Sequence, residues 1–223
     1  HLKTFFDIYA CDKKNVSQSA DKIGVKSCSL KEAASKPIVI IAVPVQDFRD
    51  VIEGIKGFVK PRSLIVDVSS VKVKPVKIMK KYLPEYVDVL GTHPLFGPQS
   101  GRNGIKGLKI VLCPVRPENM EGISGFLASK LGLQVLVRTP EEHDRQMAYV
   151  QGLTHFIGRA VNSLKIQDFD QKTAAYQHLL DIREMLKGDS FDLFLTIEKE
   201  NPYAKDVRKK FTAKLGELER LIG

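Results

Sequence analysis

Pro37-Ile38-Val39-Ile40-Ile41-Ala42-Val43 is an unbroken apolar run, rich in β-branched residues, that stops at Pro44. Such a run suits a parallel strand covered on both faces, because no alternate position is reserved for water. Working outward, Phe48, Val51, Ile52, Ile55 and Val59 fall at helical spacing, and Gly57 and Pro61 bracket the end of that helix. Residues 63–68 (SLIVDV) read as the next buried strand, followed by a helix over about 71–82. Pro75 lies near the first turn of that helix, where a missing N–H matters little. Residues 86–90 form another strand, and residues 5–11 a short one that ends in Asp12 and the polar turn Lys13-Lys14-Asn15. Strands alternating with helices of a dozen residues predict right-handed βαβ units and a doubly wound α/β sheet.

The texture changes at Thr139-Pro140-Glu141-Glu142, a capping box with proline at the first helical position. From there to Gly223 no convincing strand occurs. Helices are expected over 139–165, 171–187, 189–200 and 204–221. In the last, Val207, Phe211, Leu215, Leu218 and Ile222 form an apolar stripe, read equally as an intrachain core or a dimer interface. The division expected is residues 1–138 for a Rossmann-type dinucleotide domain and 139–223 for an all-helical substrate and dimerisation domain.

The chain of 223 residues carries a formal charge of +9. Nucleic-acid binding, anionic small molecules or a solvated basic face would each account for it. The basic runs, residues 72–81 and 205–214, lack interleaved aromatics, which disfavours nucleic acid. No apolar run is long enough to cross a bilayer and no leader opens the chain, so a cytoplasmic location is the default expectation. Cys11, Cys28 and Cys113 are odd in number and widely spaced, suggesting neither a disulfide framework nor a metal site.

Ligands of doubly wound sheets bind outside the carboxyl ends of the strands. Standing there are Asp12, Val43-Pro44 and Ser69-Ser70, with His93 just beyond the fourth strand on the Gly/Pro-bounded turn of residues 91–98. An acidic residue closing the second strand of a dinucleotide fold accepts hydrogen bonds from ribose hydroxyls and repels a 2′-phosphate, favouring NAD over NADP, although Lys13 and Lys14 would greet a phosphate. Asp12, Val43, Pro44 and Ser69 are therefore assigned to the cofactor. The GxGxxG fingerprint that cradles a pyrophosphate occurs nowhere in the chain, and about one βα unit is expected upstream of it. In the long helix Gln151, His155 and Arg159 fall at i, i+4 and i+8 on one face, suited to an anion. His143 lies about 120° away on an ideal α-helix.

Together these motifs carry a family resemblance. Asp67-Val68-Ser69-Ser70-Val71-Lys72, Gly91-Thr92-His93-Pro94-Leu95-Phe96-Gly97-Pro98, Glu142-His143-Asp144 and Gln151-Gly152-Leu153-Thr154-His155-Phe156 resemble the prephenate dehydrogenase family of tyrosine biosynthesis. The resemblance implies NAD-dependent oxidative decarboxylation of prephenate to 4-hydroxyphenylpyruvate by a homodimer. It also places His155, and with it His143, near the substrate.

The residues suit that chemistry. The ring hydroxyl sheds its proton as hydride leaves the same carbon, and a neutral imidazole accepts a proton near pH 7. His93 is the candidate base and Ser70 the group that orients it. Arg159 and Lys72 are added on geometry and charge as partners of the dianion, beside Gln151. One departure stands out: relatives carry an arginine for the ring carboxylate where Met185 stands here, and Arg183, two residues earlier, faces about 200° away. The substrate is thus left open between prephenate and arogenate. Two further readings remain: a non-catalytic dimeric relative, and another β-hydroxyacid-type dehydrogenase. The latter usually depends on a lysine where this helix shows His155.

Overall fold

The computed structural model describes residues 1–97 and 100–223. The chain divides into two compact units, one of His1–Ser69 and Pro75–Arg138, the other of Ser70–Lys74 and Thr139–Gly223.

In the first unit, β1 (Tyr9–Ala10), α1 (Ser17–Ile23) and β2 (Lys26–Ser27) form a small parallel βαβ unit. Gly24, at φ 70°, ends α1 in the left-handed conformation that glycine adopts without strain. After α2 (Leu30–Ala34) comes a five-stranded sheet in the order β3 (Ile38–Ile41), β4 (Leu64–Asp67), β5 (Asp88–Pro94), β6 (Lys109–Pro114) and β7 (Gln134–Val137). Helices α3 (Phe48–Ile55), α4 (Val73–Tyr82) and α5 (Met120–Ser129) make the crossovers. The sheet is mixed: β3, β4 and β5 run parallel, β6 is antiparallel to β5, and β7 is parallel to β6.

Period-two alternation sends neighbouring side chains to opposite faces. Val39, Ile41, Ile65 and Val89 join Phe48, Ile52 and Ile55 of α3 and Met79 of α4 in one core. Leu90, Ile110 and Leu112 join Leu133 in another, with Met120, Ile123 and Leu127 of α5 packed on it. Each fully buried Ile or Phe contributes roughly 1.5–3 kcal/mol, so these two layers dominate the stability of the unit. On β3 only one face is covered, for Ile38 and Ile40 are about 45% and 44% exposed.

Two expectations change here. The strand expected over 86–90 runs on to Pro94, so His93 is not on a display turn but inside the ladder, opposite Val111. Gly91 allows this by leaving room for neighbours, and Pro94 closes the strand where a missing donor is tolerated. The last residue of the 91–98 motif, Pro98, lies outside the described residues. The first strand, expected over 5–11, shrinks to Tyr9–Ala10.

The second unit is helical. α6 (Pro140–Met147) opens with the full capping box: Glu142 N donates to Thr139 Oγ1 at 3.1 Å and Thr139 N to Glu142 Oε2 at 2.9 Å. The helix expected to run evenly to 165 instead passes through a π-helical stretch, Ala148–Leu153, before α7 (Thr154–Ser163). Then follow α8 (Ala174–Met185), α9 (Phe191–Glu200) and α10 (Ala204–Ile222). Gly158 lets α7 and α8 touch; a Cβ there would stand 2.1 Å from Leu186 Cδ1 and 3.1 Å from Ile182 Cγ2. The α10 stripe is used only in part within the chain. Val207 is buried and Phe211 meets Phe156 edge-on at 6.4 Å, whereas Leu215, Leu218 and Ile222 are 49%, 54% and 84% exposed.

Candidate active site

The first unit gathers its candidates at the carboxyl ends of β1, β3, β4 and β5. One row of the sheet register runs Ile41, Asp67, Gly91, Cys113. Asp67 is fully buried within it. Its Oδ1 accepts from Ser69 N at 2.9 Å, turning the chain sharply after β4, and its carbonyl accepts from Thr92 Oγ1 at 2.7 Å. His93, one residue on, is 5% exposed. Asp67 and Thr92 carried no assigned role in the sequence reading. Their signal was a charged and a hydroxyl residue inside otherwise apolar strands, where an unpartnered polar group would be costly.

Whether these strand ends suit a dinucleotide is tested by their polar atoms. Ser69 Oγ is buried without a hydrogen-bond partner among the described residues, so a donor or acceptor supplied by a ligand would satisfy it. Asp12 is exposed past the end of β1, with Oδ1 accepting from Lys14 N at 2.9 Å. Lys13 pairs with Asp47 at 3.4 Å, which occupies one of the two lysines that would otherwise favour a 2′-phosphate. Val43 is half-buried and Pro44 exposed in the loop after β3. These residues fit the ribose end and the edge of a dinucleotide site.

The second unit holds the remaining candidates. His155 is 6% exposed on α7, its Nε2 3.6 Å from Asp189 Oδ2 and its Nδ1 buried without a partner among the described residues. Burial pushes its imidazole below the usual range; Asp189 opposes this and Arg159 adds to it. Gln151 Oε1 is likewise buried and unpartnered among the described residues. Arg159 is already engaged, its Nη2 donating to the carbonyls of Asp189 at 2.8 Å and Ser190 at 3.1 Å, with its guanidinium over the rings of Phe191 and Phe194. Only its Nε is buried without a hydrogen-bond partner among the described residues.

The π-helical stretch alters the helix phase on which the sequence reading relied. Each residue of a π turn advances less than the ~100° of an α-helix. His143 and His155 flank this stretch, so their separation departs from the ideal-helix 120°. Such stretches are frequent at functional sites. Nothing in the sequence pattern announces it.

His143 is 2% exposed, its Nδ1 2.8 Å from Asp144 Oδ1. Lys72 is fully buried, and Ser70 half-buried, in the short segment of Ser70–Lys74 that belongs to this unit. Arg183 does not stand in for the arginine missing at 185. Its Nη1 donates to Ile166 O at 2.7 Å and its Nη2 meets Glu184, while Met185 is 63% exposed. Among the described residues no cluster of His, Cys, Asp or Glu could hold a metal, and no helix is long and apolar enough to cross a membrane.

Comparison with known proteins agrees with this architecture. Residues 3–130 match the family model of the prephenate dehydrogenase nucleotide-binding domain, and residues 160–222 one described as TYRAAT1-like, C-terminal domain. The chain is 32% identical over 202 residues to a probable arogenate/prephenate dehydrogenase of Methanocaldococcus jannaschii, covering 86% of this chain and 45% of that protein. It is 30% identical over 220 residues to the chloroplastic arogenate dehydrogenase 1 of Arabidopsis thaliana, covering 94% of this chain and 34% of that one. The chain thus spans less than half the length of these relatives. The fold resembles Aquifex aeolicus prephenate dehydrogenase in complex with hydroxyphenyl propionate and NAD+, with a TM-score of 0.76, 19% identity, and 99% of this chain and 84% of that one covered. It also resembles Synechocystis arogenate dehydrogenase, with a TM-score of 0.72, 16% identity and the same shares covered. With more than half of its residues inside the nucleotide-binding model and its strand ends suited to a dinucleotide, the chain belongs to the prephenate dehydrogenase family.

Proposed function

We propose that this chain carries the reaction core of an NAD-dependent dehydrogenase that oxidatively decarboxylates prephenate, with arogenate as the alternative substrate. The observation that carries the reading is the imidazole of His93, withdrawn from water in β5 beside strand ends that bear the unsatisfied Ser69 hydroxyl. When bound, NAD supplies the hydride acceptor. His93 takes the proton of the ring hydroxyl as the carbonyl forms, and Ser70 orients it. Loss of the ring carboxylate then yields an aromatic ring, which drives the step forward. Arg159, Lys72, His143, His155 and Gln151 are assigned to the anionic substrate; the buried, unsatisfied Gln151 Oε1 and His155 Nδ1 support that assignment. Asp12, Val43, Pro44 and Ser69 are assigned to the nucleotide.

Arogenate remains in view because relatives bearing its name match this chain at 30% and 36% identity. The departure at Met185 does not choose between the two, since both substrates carry the ring carboxylate that an arginine there would serve. The domains are read as 1–138 for nucleotide and 139–223 for substrate and dimerisation, with Leu215, Leu218 and Ile222 supporting a homodimer through α10. The test is a paired assay of prephenate and arogenate, each with NAD and NADP. Turnover of one substrate with NAD is expected, and a folded protein that oxidises neither would overturn the reading.

A further inference from the structure

Asp144, on α6, is completely buried and uses every acceptor it has. Its Oδ1 accepts from Lys72 N at 2.7 Å and lies 2.8 Å from His143 Nδ1. Its Oδ2 accepts from Val73 N at 2.9 Å, and its backbone carbonyl from Asn201 Nδ2 at 2.7 Å. The partners at 72 and 73 are more than seventy residues away in sequence. All of them belong to the second unit.

Lys72 and Val73 stand at the start of α4, where backbone N–H groups lack partners within the helix. A side chain at the residue preceding a helix caps the amides two or three positions further on, so its own N–H and the next must find acceptors elsewhere. Asp144 supplies the missing acceptor, and a carboxylate at a helix N-terminus also matches the helix dipole. A second clamp lies beside it, for Lys74 Nζ meets Glu200 Oε2 at 2.5 Å. Three consecutive residues, 72 to 74, are thus held by α6 and α9.

We propose that Asp144 is a positioning residue for the reaction. It fixes the backbone from which Ser70 and Lys72 project, and it holds the ring of His143, so that one buried carboxyl group aligns three of the assigned site residues. The inference rests on the dehydrogenase reading for its catalytic consequence but not for its geometry. An apolar residue would fill the same space without the three hydrogen bonds of the carboxylate, so the arrangement selects orientation over simple packing.

Asp144→Asn keeps the volume but turns one acceptor into a donor that faces an amide. Two measurements decide the proposal. By hydrogen exchange, the amides of Lys72 and Val73 should exchange roughly tenfold to a hundredfold faster, the size of one lost bond to a charged group, with the amides of α7 and α10 unchanged. By kinetics, kcat should fall by a similar factor while the KM for NAD stays put. Unchanged exchange at 72 and 73, or exchange raised evenly through α6 to α10, overturns positioning. So does a well-folded variant with the wild-type kcat. If the wild type itself turns over neither substrate, the dehydrogenase reading fails, and the exchange result alone decides the role of Asp144. Should Asp144→Asn not fold, Val73→Pro removes a single donor at a position where proline suits a helix start. Faster exchange at Lys72 and a lower kcat are expected of it, and the absence of both changes overturns the proposal.

Discussion

A Cβ placed on Gly91 would stand 3.3 Å from Asp67 Oδ2, so the bare glycine of β5 is what makes room for the buried carboxyl group of β4. The same Cβ would stand 2.9 Å from Val76 Cγ2 and 3.3 Å from Cys113 Cβ. Gly91 is therefore packed on three sides. Gly91→Ala is expected to destabilise the first unit by about 1–3 kcal/mol, the usual cost of overpacking a filled core. Urea denaturation checks this, and a wild-type midpoint would show that the strands move apart freely.

Thr92 ties the same two strands through its hydroxyl bond to the Asp67 carbonyl. Thr92→Val preserves the shape and removes the hydroxyl. Stability should drop by about 1 kcal/mol, the net worth of one buried neutral hydrogen bond. The check is the shift in denaturation midpoint at constant slope; no shift would mean the carbonyl finds another donor.

His93 is buried in the strand, not exposed on a turn, and this alters what its removal should do. His93→Ala should lower turnover by about 10²–10⁴-fold, as for loss of a general base. It should also destabilise the fold measurably through the cavity left behind. Turnover and thermal unfolding on the same sample separate the two effects. Wild-type-like turnover would remove His93 from the mechanism.

His155 makes stability depend on pH with a definite sign. Burial holds its folded-state pKa below the unfolded value of about 6.5, so the unfolded chain binds the proton more readily. Its contribution is intact above that pH. It is lost as pH falls below it, levelling off once the folded imidazole is protonated too. His155→Gln should flatten this part of the profile. Denaturation midpoints of both proteins at about pH 7.5 and 5.5, on either side of the unfolded pKa, test it. An equal loss in each would exonerate His155.

Much of the architecture was legible because its determinants are local. The β-branched runs at 38–41 and 64–67 became strands, and the capping box at Thr139 began a helix at Pro140. Helix α10 ends within one residue of the expected boundary. Short strands such as β2, with two residues and no periodicity to display, leave no such mark.

What the sequence by itself determined is the α/β unit followed by helices, and the motifs that mark the family. Those signals lie within a few residues of one another, where periodicity, caps and turn chemistry act. Only the tertiary structure decided that His93 sits inside a ladder, that a π-helical stretch resets the phase between His143 and His155, and that Asp144 serves amides at 72 and 73. A buried polar atom must take its partner from whatever the packing brings near, and that choice is written in no local pattern.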